Sequence, residues 1–536
     1  MNRMTYRPDI DGLRAIAVGL VVAFHASPAL MPDGFIGVDM FFVISGYLIT
    51  GIMLRDLKKG TFSIVGFYTR RIRRIFPALL VVVIATLGTG SFLLVGEGFA
   101  RLVESVVAGL GFVANFLFWS QAGYGDALAA TKPLLHLWSL AVEEQFYLLW
   151  PLVLAFSFRF RSGVVLSGML IFLGSFGLCV VWTLHDPNGA YYLPFNRLWE
   201  PMAGGLLAMV GYSARGSIER NLCSLVGLAL VAASFPMIST LEHFPGWRAV
   251  FPVAGTVLII AAGPASLINR ALVLKPLIAL GLISYPLYLW HWPALVYARF
   301  WSLDRFGTFE LSVVASLLAV SAAVVLAWLT YLLVELPIRL QRPSRVAQKL
   351  AGGWLALLVV SAGLWFSLPL LGFGVDKTEA QYVAELGRRE GTCFMLDGKS
   401  NLPPECIDND PDQTRIALVG DSYAAGFSKA LRETPGLSVI EFTSSSCPFN
   451  LDFDFAIRPE QCRAINDERL DLILATQPDL IFIASWWQMG AEDDVSQLRN
   501  LAQSIQTLLD RTEARIVLYG LSPVLLRLLP ICSQGK

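Results

Sequence analysis

Apolar runs of roughly twenty residues recur along the first two thirds of this chain, the length a helix needs to cross the hydrocarbon layer of a bilayer. Within that layer each backbone N–H and C=O must find its partner inside the segment, so runs of this length admit little besides helix. They predict spans near 11–31, 35–55, 76–96, 136–157, 163–184, 198–212, 221–238, 248–266, 271–298, 310–335 and 352–372. Residues 99–121 are apolar too, but Arg101 and Glu104 interrupt them, which predicts a re-entrant or interfacial helix. Composition agrees with a polytopic α-helical membrane protein. The chain is 55% apolar and only 15% charged, where a soluble protein carries about 25% charged residues. Its formal net charge is zero, so no overall field argues for nucleic acid. The first run is too long for a secretory leader and the next follows at once, so it reads as a retained span.

Basic residues set the orientation. Residues 55–74 contain Arg55, Lys58, Lys59, Arg70, Arg71, Arg73 and Arg74 and are expected on the cytoplasmic side. Alternation then puts Arg159/Arg161, Arg215/Arg220, Arg270 and Arg339/Arg342/Arg345/Lys349 on that same side, while 32–34 and 185–197 carry few cations. This pattern predicts ten spans with both ends inside, then an eleventh that exports the tail. Cysteines point the same way. Cys179 and Cys223 lie in apolar runs, whereas Cys393, Cys406, Cys447, Cys462 and Cys532 lie in the tail. That suits two disulfides and one thiol left over in an oxidising compartment. Within the tail, 415–419, 437–442, 479–484 and 515–519 are short apolar or β-branched runs separated by helical segments, as in a parallel sheet with crossover helices. The divisions are a membrane domain over 6–340, a cytoplasmic linker and eleventh span over 341–372, a polar linker outside over 373–412, and an α/β domain over 413–536.

Ionisable residues inside spans are expensive and usually mark function. Arg14 and His25 stand eleven residues apart, about three helical turns and about 16 Å of rise, so they share a side. A histidine can take a proton from a sugar hydroxyl near neutral pH; its plainer role is packing against a neighbouring helix. Arg70, Arg71, Arg73 and Arg74 precede the third span. They serve as topogenic charge, or their guanidinium forks hold donor phosphates. Glu143 and Glu144 are adjacent carboxylates in an apolar span, expected at the depth of His25, where one of them could orient the imidazole. Asp39 and Ser45 are secondary candidates for lining the same cavity. No metal site is expected.

Tyr6 to Arg14, the Arg14–His25 spacing, Gly34 to Ile49, Arg71 and Arg74 with Pro77, Trp138 to Tyr147, and Ile283 to His291 together resemble the acyltransferase-3 family of bacterial O-acetylases. The resemblance covers roughly 6–340. It implies a cytoplasmic acyl-CoA donor, usually acetyl-CoA, and an extracytoplasmic glycan acceptor: lipopolysaccharide O-antigen, peptidoglycan, an exopolysaccharide or a lipid-linked saccharide. It also implies that Arg14, His25, Arg71 and Arg74 serve catalysis or donor binding, and that the protein sits among the lipids of the bacterial inner membrane with its tail periplasmic. As an expected mechanism, donor phosphates lie near Arg71 and Arg74, the acyl arm reaches toward His25, and His25 acts as general base directly or through an acyl-enzyme. A transporter or flippase of a lipid-linked saccharide would also use buried Arg, His and Glu. A third reading, a membrane-anchored glycan binder, would place the function in the tail.

In the tail, Gly420-Asp421-Ser422 follows an apolar strand, a place where a serine can expose its hydroxyl and borrow a backbone N–H; a turn with a helix cap is the simpler reading. With Ser446-Cys447-Pro448 and Ser485-Trp486-Trp487 it resembles the flavodoxin-like SGNH hydrolase domain fused to that family. The resemblance makes Ser422 the nucleophile and asks for an Asp-x-x-His segment beyond it. No histidine follows His291 here, so the tail is expected to be catalytically incomplete or truncated, because a serine without a base is a weak nucleophile.

Overall fold

Local signals set several helix ends. Ser63 caps the third helix by accepting from the Gly66 N–H at 3.1 Å, and Asp186 and Ser312 do the same for two later ones. The structure, a computed structural model, describes residues 6–94, 97–122, 129–160, 163–237, 244–306, 311–340, 343–368, 393–395, 404–408, 410–444, 447–451, 459–485 and 494–519. It divides into two units, Met1–Val375 and Asp376–Lys536.

The first unit is helical. Its helices are α1 (Pro8–Ala26), α2 (Gly37–Lys58), α3 (Ile64–Leu93), α4 (Glu97–Leu110), α5 (Ala114–Gln121), α6 (Leu137–Ser157), α7 (Gly163–His185), α8 (Pro187–Tyr192) and α9 (Trp199–Val210). There follow α10 (Ser217–Met237), α11 (Val250–Ala262), α12 (Leu267–Leu272), α13 (Lys275–Leu282), α14 (Ser284–Phe306), α15 (Val313–Thr330), α16 (Leu336–Leu340) and α17 (Pro343–Ser367). Among the described residues six helices, α2, α3, α7, α10, α15 with its continuation, and α17, are long and apolar enough to cross a membrane. The outward faces are apolar: Leu166, Leu170 and Leu173 of α7, Leu317 and Leu318 of α15, and Val359 and Val360 of α17 are all exposed. A soluble protein would hide such faces, and hydrocarbon is the solvent that suits them. The chain is a multi-pass membrane protein. α1 and α6 fall outside the six and carry several of the interior's polar residues, among them Arg14, Glu143 and Glu144.

Three expectations need correcting. The run 271–298 is not one helix. Pro276 starts α13 afresh, and Ile283 leaves helical geometry before α14 begins. The arginines of 70–74 do not precede the third span: the Ser63 cap starts α3 at Ile64, so they ride on the helix itself. Residues 99–121 form two helices, α4 and α5, with Phe112 at positive φ between them. The inner packing is tight. A Cβ on Gly46 of α2 would lie 1.7 Å from the Pro201 carbonyl, and one on Gly204 of α9 would lie 2.0 Å from that of Val43, so both positions need glycine for the helices to touch.

The tail unit is a parallel sheet of β1 (Phe394–Met395), β2 (Thr414–Gly420), β3 (Leu437–Ser444), β4 (Leu480–Ala484) and β5 (Arg515–Tyr519), in the order β1-β3-β2-β4-β5. Helices α18 (Ser422–Ala425), α19 (Ser428–Arg432), α20 (Pro459–Thr476) and α21 (Asp494–Arg511) connect the strands. The strand β1, inside the expected polar linker, is held beside the Cys393–Cys406 disulfide, and a second disulfide joins Cys447 to Cys462. Cys532 lies outside the described residues.

Candidate active site

α1, α2, α3, α6 and α14 enclose a cavity with about 740 Å³ of empty space, counted out to its mouth. Its polar lining gathers Arg14 from α1, Ser45 from α2, Arg71 and Arg74 from α3, Ser139, Glu143, Glu144 and Tyr147 from α6, and Ser284 and Tyr288 from α14. Glu143 accepts hydrogen bonds from both Ser45 Oγ and Tyr147 Oη. The Arg71 guanidinium lies 3.7 Å over the Tyr147 ring, a cation on a π face, and it feels the charges of Glu144 and Glu143. Arg14 is 3.5 Å from Asp11. Three polar side-chain atoms in this lining, Arg71 Nε, Glu144 Oε1 and Ser284 Oγ, are buried with no hydrogen-bond partner among the described residues. Buried groups seldom stay unpaired without a reason such as a ligand. Arg71 Nε calls for an acceptor such as an anionic oxygen, and Glu144 Oε1 for an N–H or O–H donor.

His25 is not part of this lining. It ends α1 beside α14, with its Nδ1 2.9 Å from His291 Nε2. The two rings are near parallel with centroids 5.1 Å apart, and Trp292 packs on His25 at 4.5 Å. His136 completes a trio, 5.7 Å from the His291 ring. Arg299 donates to the His25 backbone carbonyl at 2.8 Å and closes the end of α1. Tyr288 joins the two centres. Its side chain lines the cavity, its hydroxyl donates to the His136 carbonyl at 2.9 Å and meets Ser139 Oγ at 2.5 Å, and its ring stands 5.4 Å from His291.

The sequence-stated candidates therefore divide. Arg14, Arg71, Arg74, Glu143, Glu144 and Ser45 come together, as expected of a polar cavity. The expected pairing of a glutamate with His25 does not occur. From His136 to Glu143 is about two helical turns, about 10 Å, so it is His136 that reaches the level of His25 and His291, and the glutamates lie deeper. They meet the arginines because α3 carries those cations into the bundle, and a buried carboxylate goes where cations are. Asp39 does not line the cavity either. It pairs with Arg197 at 2.8 Å, and Arg197 with Glu200 at 3.1 Å, all of them at most 1% exposed. Phe42, Trp138, Tyr191 and Phe244 ring that guanidinium. His136, His291, Tyr288 and Arg197 were not singled out from sequence. The signal was present for the two histidines, each an ionisable residue in a predicted span; Arg197 stands at the end of the predicted loop 185–197.

In the tail, Ser422 opens α18 directly after β2, and the described structure stops at its backbone. Gly420 has φ +143, and a Cβ there would lie 1.8 Å from the Ala484 carbonyl, so only glycine makes this turn. Asp421 caps the helix through the Tyr423 N–H at 2.8 Å. Beneath it Arg469 is fully buried and donates to the carbonyls of Gly420, Phe442 and Cys447 and to Asn466 Oδ1, tying the ends of β2 and β3 together. Burial pushes its guanidinium down to about 9, with the Asp421 carboxylate acting the other way.

Residues 7–332 match the model of a family described as an acyltransferase domain, and residues 392–532 match an SGNH domain found fused to such domains. Similar curated proteins include "O-acetyltransferase OatA" of Staphylococcus aureus, 30% identical over 350 residues that cover 62% of this chain and 57% of that one. "Peptidoglycan O-acetyltransferase OatA" of Listeria monocytogenes is 32% identical over 359 residues, covering 62% and 56%. The chain thus spans a little over half the length of these relatives. A solved structure described as the periplasmic domain of a lipopolysaccharide acetyltransferase of Salmonella ser. Paratyphi A is 22% identical and covers 27% of this chain and 58% of that one, with a TM-score of 0.21, too low to carry an argument.

Proposed function

Since the chain belongs to the acyltransferase family matched over residues 7–332, we propose that it is a membrane O-acyltransferase moving an acyl group, acetyl first among them, from cytoplasmic acyl-CoA to a hydroxyl of a cell-envelope glycan. The observation that carries this reading is the pairing, inside one helical unit, of an arginine-lined cavity with a histidine centre one tyrosine away. Arg71 and Arg74 hold the donor phosphates, which guanidinium forks match in shape and charge. Arg14 lies farther along the thioester arm. His25 takes the proton of the acceptor hydroxyl as its oxygen attacks the thioester carbon. The C–O bond forms, the C–S bond breaks, and the proton returns from the imidazolium to the departing thiolate, leaving free CoA. Glu143 and Glu144 hold the arginines in place and keep the cavity near neutrality.

Peptidoglycan is the first acceptor to test, because a relative bears that name; lipopolysaccharide O-antigen, exopolysaccharide and a lipid-linked saccharide follow. The inner membrane with an extracytoplasmic tail is the placement that suits the two tail disulfides, which persist in oxidising compartments. The deciding experiment reconstitutes the full chain in liposomes with radiolabelled acetyl-CoA and envelope glycan. Release of CoA thiol, with label in an alkali-labile ester of the glycan, is the expected result. Glycan passage with acyl-CoA left intact would instead make the protein a flippase.

A further inference from the structure

We propose that His291 is a positioning residue that fixes the tautomer of His25, leaving the lone pair on His25 Nε2 for the acceptor proton. The inference rests on the reading of His25 as general base. It starts from the far end of a short chain of hydrogen bonds. His291 Nδ1 lies 2.6 Å from the Tyr288 carbonyl and 3.3 Å from that of Leu287. A carbonyl only accepts, so Nδ1 carries the hydrogen. In a neutral imidazole the lone pair is then on Nε2. That atom is 2.9 Å from His25 Nδ1, which must therefore be the donor. The remaining nitrogen of His25, Nε2, is left as the base.

The chain works only while His291 is neutral, and its surroundings favour that form. The residue is fully buried. The rings packed on it are those of His25, His136 and Tyr288, none of them a carboxylate. The nearby cation Arg299 is already engaged with the His25 carbonyl. A second positive charge here would be buried without a counterion, which is costly. The arrangement does the work of an orienting carboxylate with a neutral partner. When His25 accepts a proton, its Nδ1–H becomes a stronger donor to His291, and the Tyr288 carbonyl steadies His291 in turn.

The test uses three variants of the full-length protein, assayed for acyl transfer and for yield and thermal unfolding. In H291Q the amide oxygen can still accept from His25 Nδ1–H, and turnover should stay within about ten-fold of wild type. H291L is similar in bulk but can neither accept nor donate. With its Nδ1–H unheld, His25 is free to take the other tautomer, so kcat should fall about 10–100-fold below H291Q, the scale of a lost orienting partner, while KM for acyl-CoA stays within about two-fold because the arginine cavity is separate. A role in packing alone would favour Leu over Gln at this buried site, so turnover in H291L equal to or above that of H291Q overturns the proposal. H25A run alongside keeps the failures apart. Wild-type turnover in H25A removes the base itself, whereas an inactive H25A with an active H291L removes only the relay. Should the variants fail to fold, ¹⁵N spectra of histidine-labelled wild-type protein decide: hydrogen on Nδ1 of both His25 and His291 is expected, and hydrogen on Nε2 of His25 overturns the proposal.

Discussion

The arginine cavity and the histidine trio occupy one helical unit yet are built on opposite principles. In the cavity, Arg14, Arg71 and Arg74 are gathered with Glu143 and Glu144, and three buried polar atoms have no hydrogen-bond partner among the described residues. At the trio, His291 and Trp292 pack on the His25 ring, and backbone carbonyls hold His291 in turn. Charge suits the holding of a charged donor, since opposite charge survives burial only when matched. Neutral nitrogen suits the movement of a proton, since a base paired to a full charge gives up part of its range. Tyr288 touches both, with its side chain in the cavity and its carbonyl on His291. The difference teaches that binding and chemistry are separable here, and that variants should split accordingly.

The largest effect belongs to the trio. His25→Ala should lower kcat by about 10²–10⁴-fold with KM for acyl-CoA little changed, read from steady-state assays over a range of donor. At the cavity, Arg71→Ala with Arg74→Ala should do the reverse, raising KM by about 10–100-fold, the cost of lost charge-assisted hydrogen bonds. A kcat effect alone in the arginine variant would break the division. Tyr288→Phe keeps the carbonyl on His291 and loses only the hydroxyl, so about a five-fold fall in turnover is expected, near 1 kcal/mol for one hydrogen bond. A fall as deep as that of His25→Ala would show the phenol itself in the chemistry. Ser422→Ala should leave donor consumption unchanged, because the proposed donor cavity and His25 both lie in the helical unit. The smallest effect lies in the Arg415–Asp479 ion pair of the tail. The Arg415 guanidinium holds the Asp479 carboxyl below its ordinary range, so the pair's contribution is complete above that range and is lost as pH falls through the lowered value. Arg415→Ala should lower tail stability slightly at neutral pH, where the contribution is complete, and flatten that acid limb, so that variant and wild type converge at low pH in thermal unfolding.

Much of this architecture was legible in the residues. The four longer strands of the tail fall within about two residues of their apolar runs, because a short β-branched run bounded by polar segments has few other uses. Helices α7 and α10 were equally plain. The break between α13 and α14 was not, since 271–298 is apolar throughout and hydropathy does not register a turn at Ile283. Partners were harder still. Arg14, Arg71, Arg74 and the glutamates could each be named as costly charges, but which met which depended on how far α3 extends ahead of its apolar stretch, from Ile64 rather than residue 76. Arg197 was hidden for another reason: it closes the predicted outer loop 185–197, where a lone arginine reads as an ordinary solvated charge, and its partners Asp39 and Glu200 come from different places in the chain. His291 lay inside a motif already read, but its meaning is in the geometry of its two nitrogens.

Equilibrium binding of acetyl-CoA to the purified full-length protein, by calorimetry in detergent without acceptor glycan, tests most directly whether the two centres divide the work. The account predicts that His25→Ala binds donor as wild type does, and that the Arg71→Ala, Arg74→Ala variant binds at least about ten-fold more weakly. Loss of binding in the histidine variant, or full binding in the arginine variant, would contradict it.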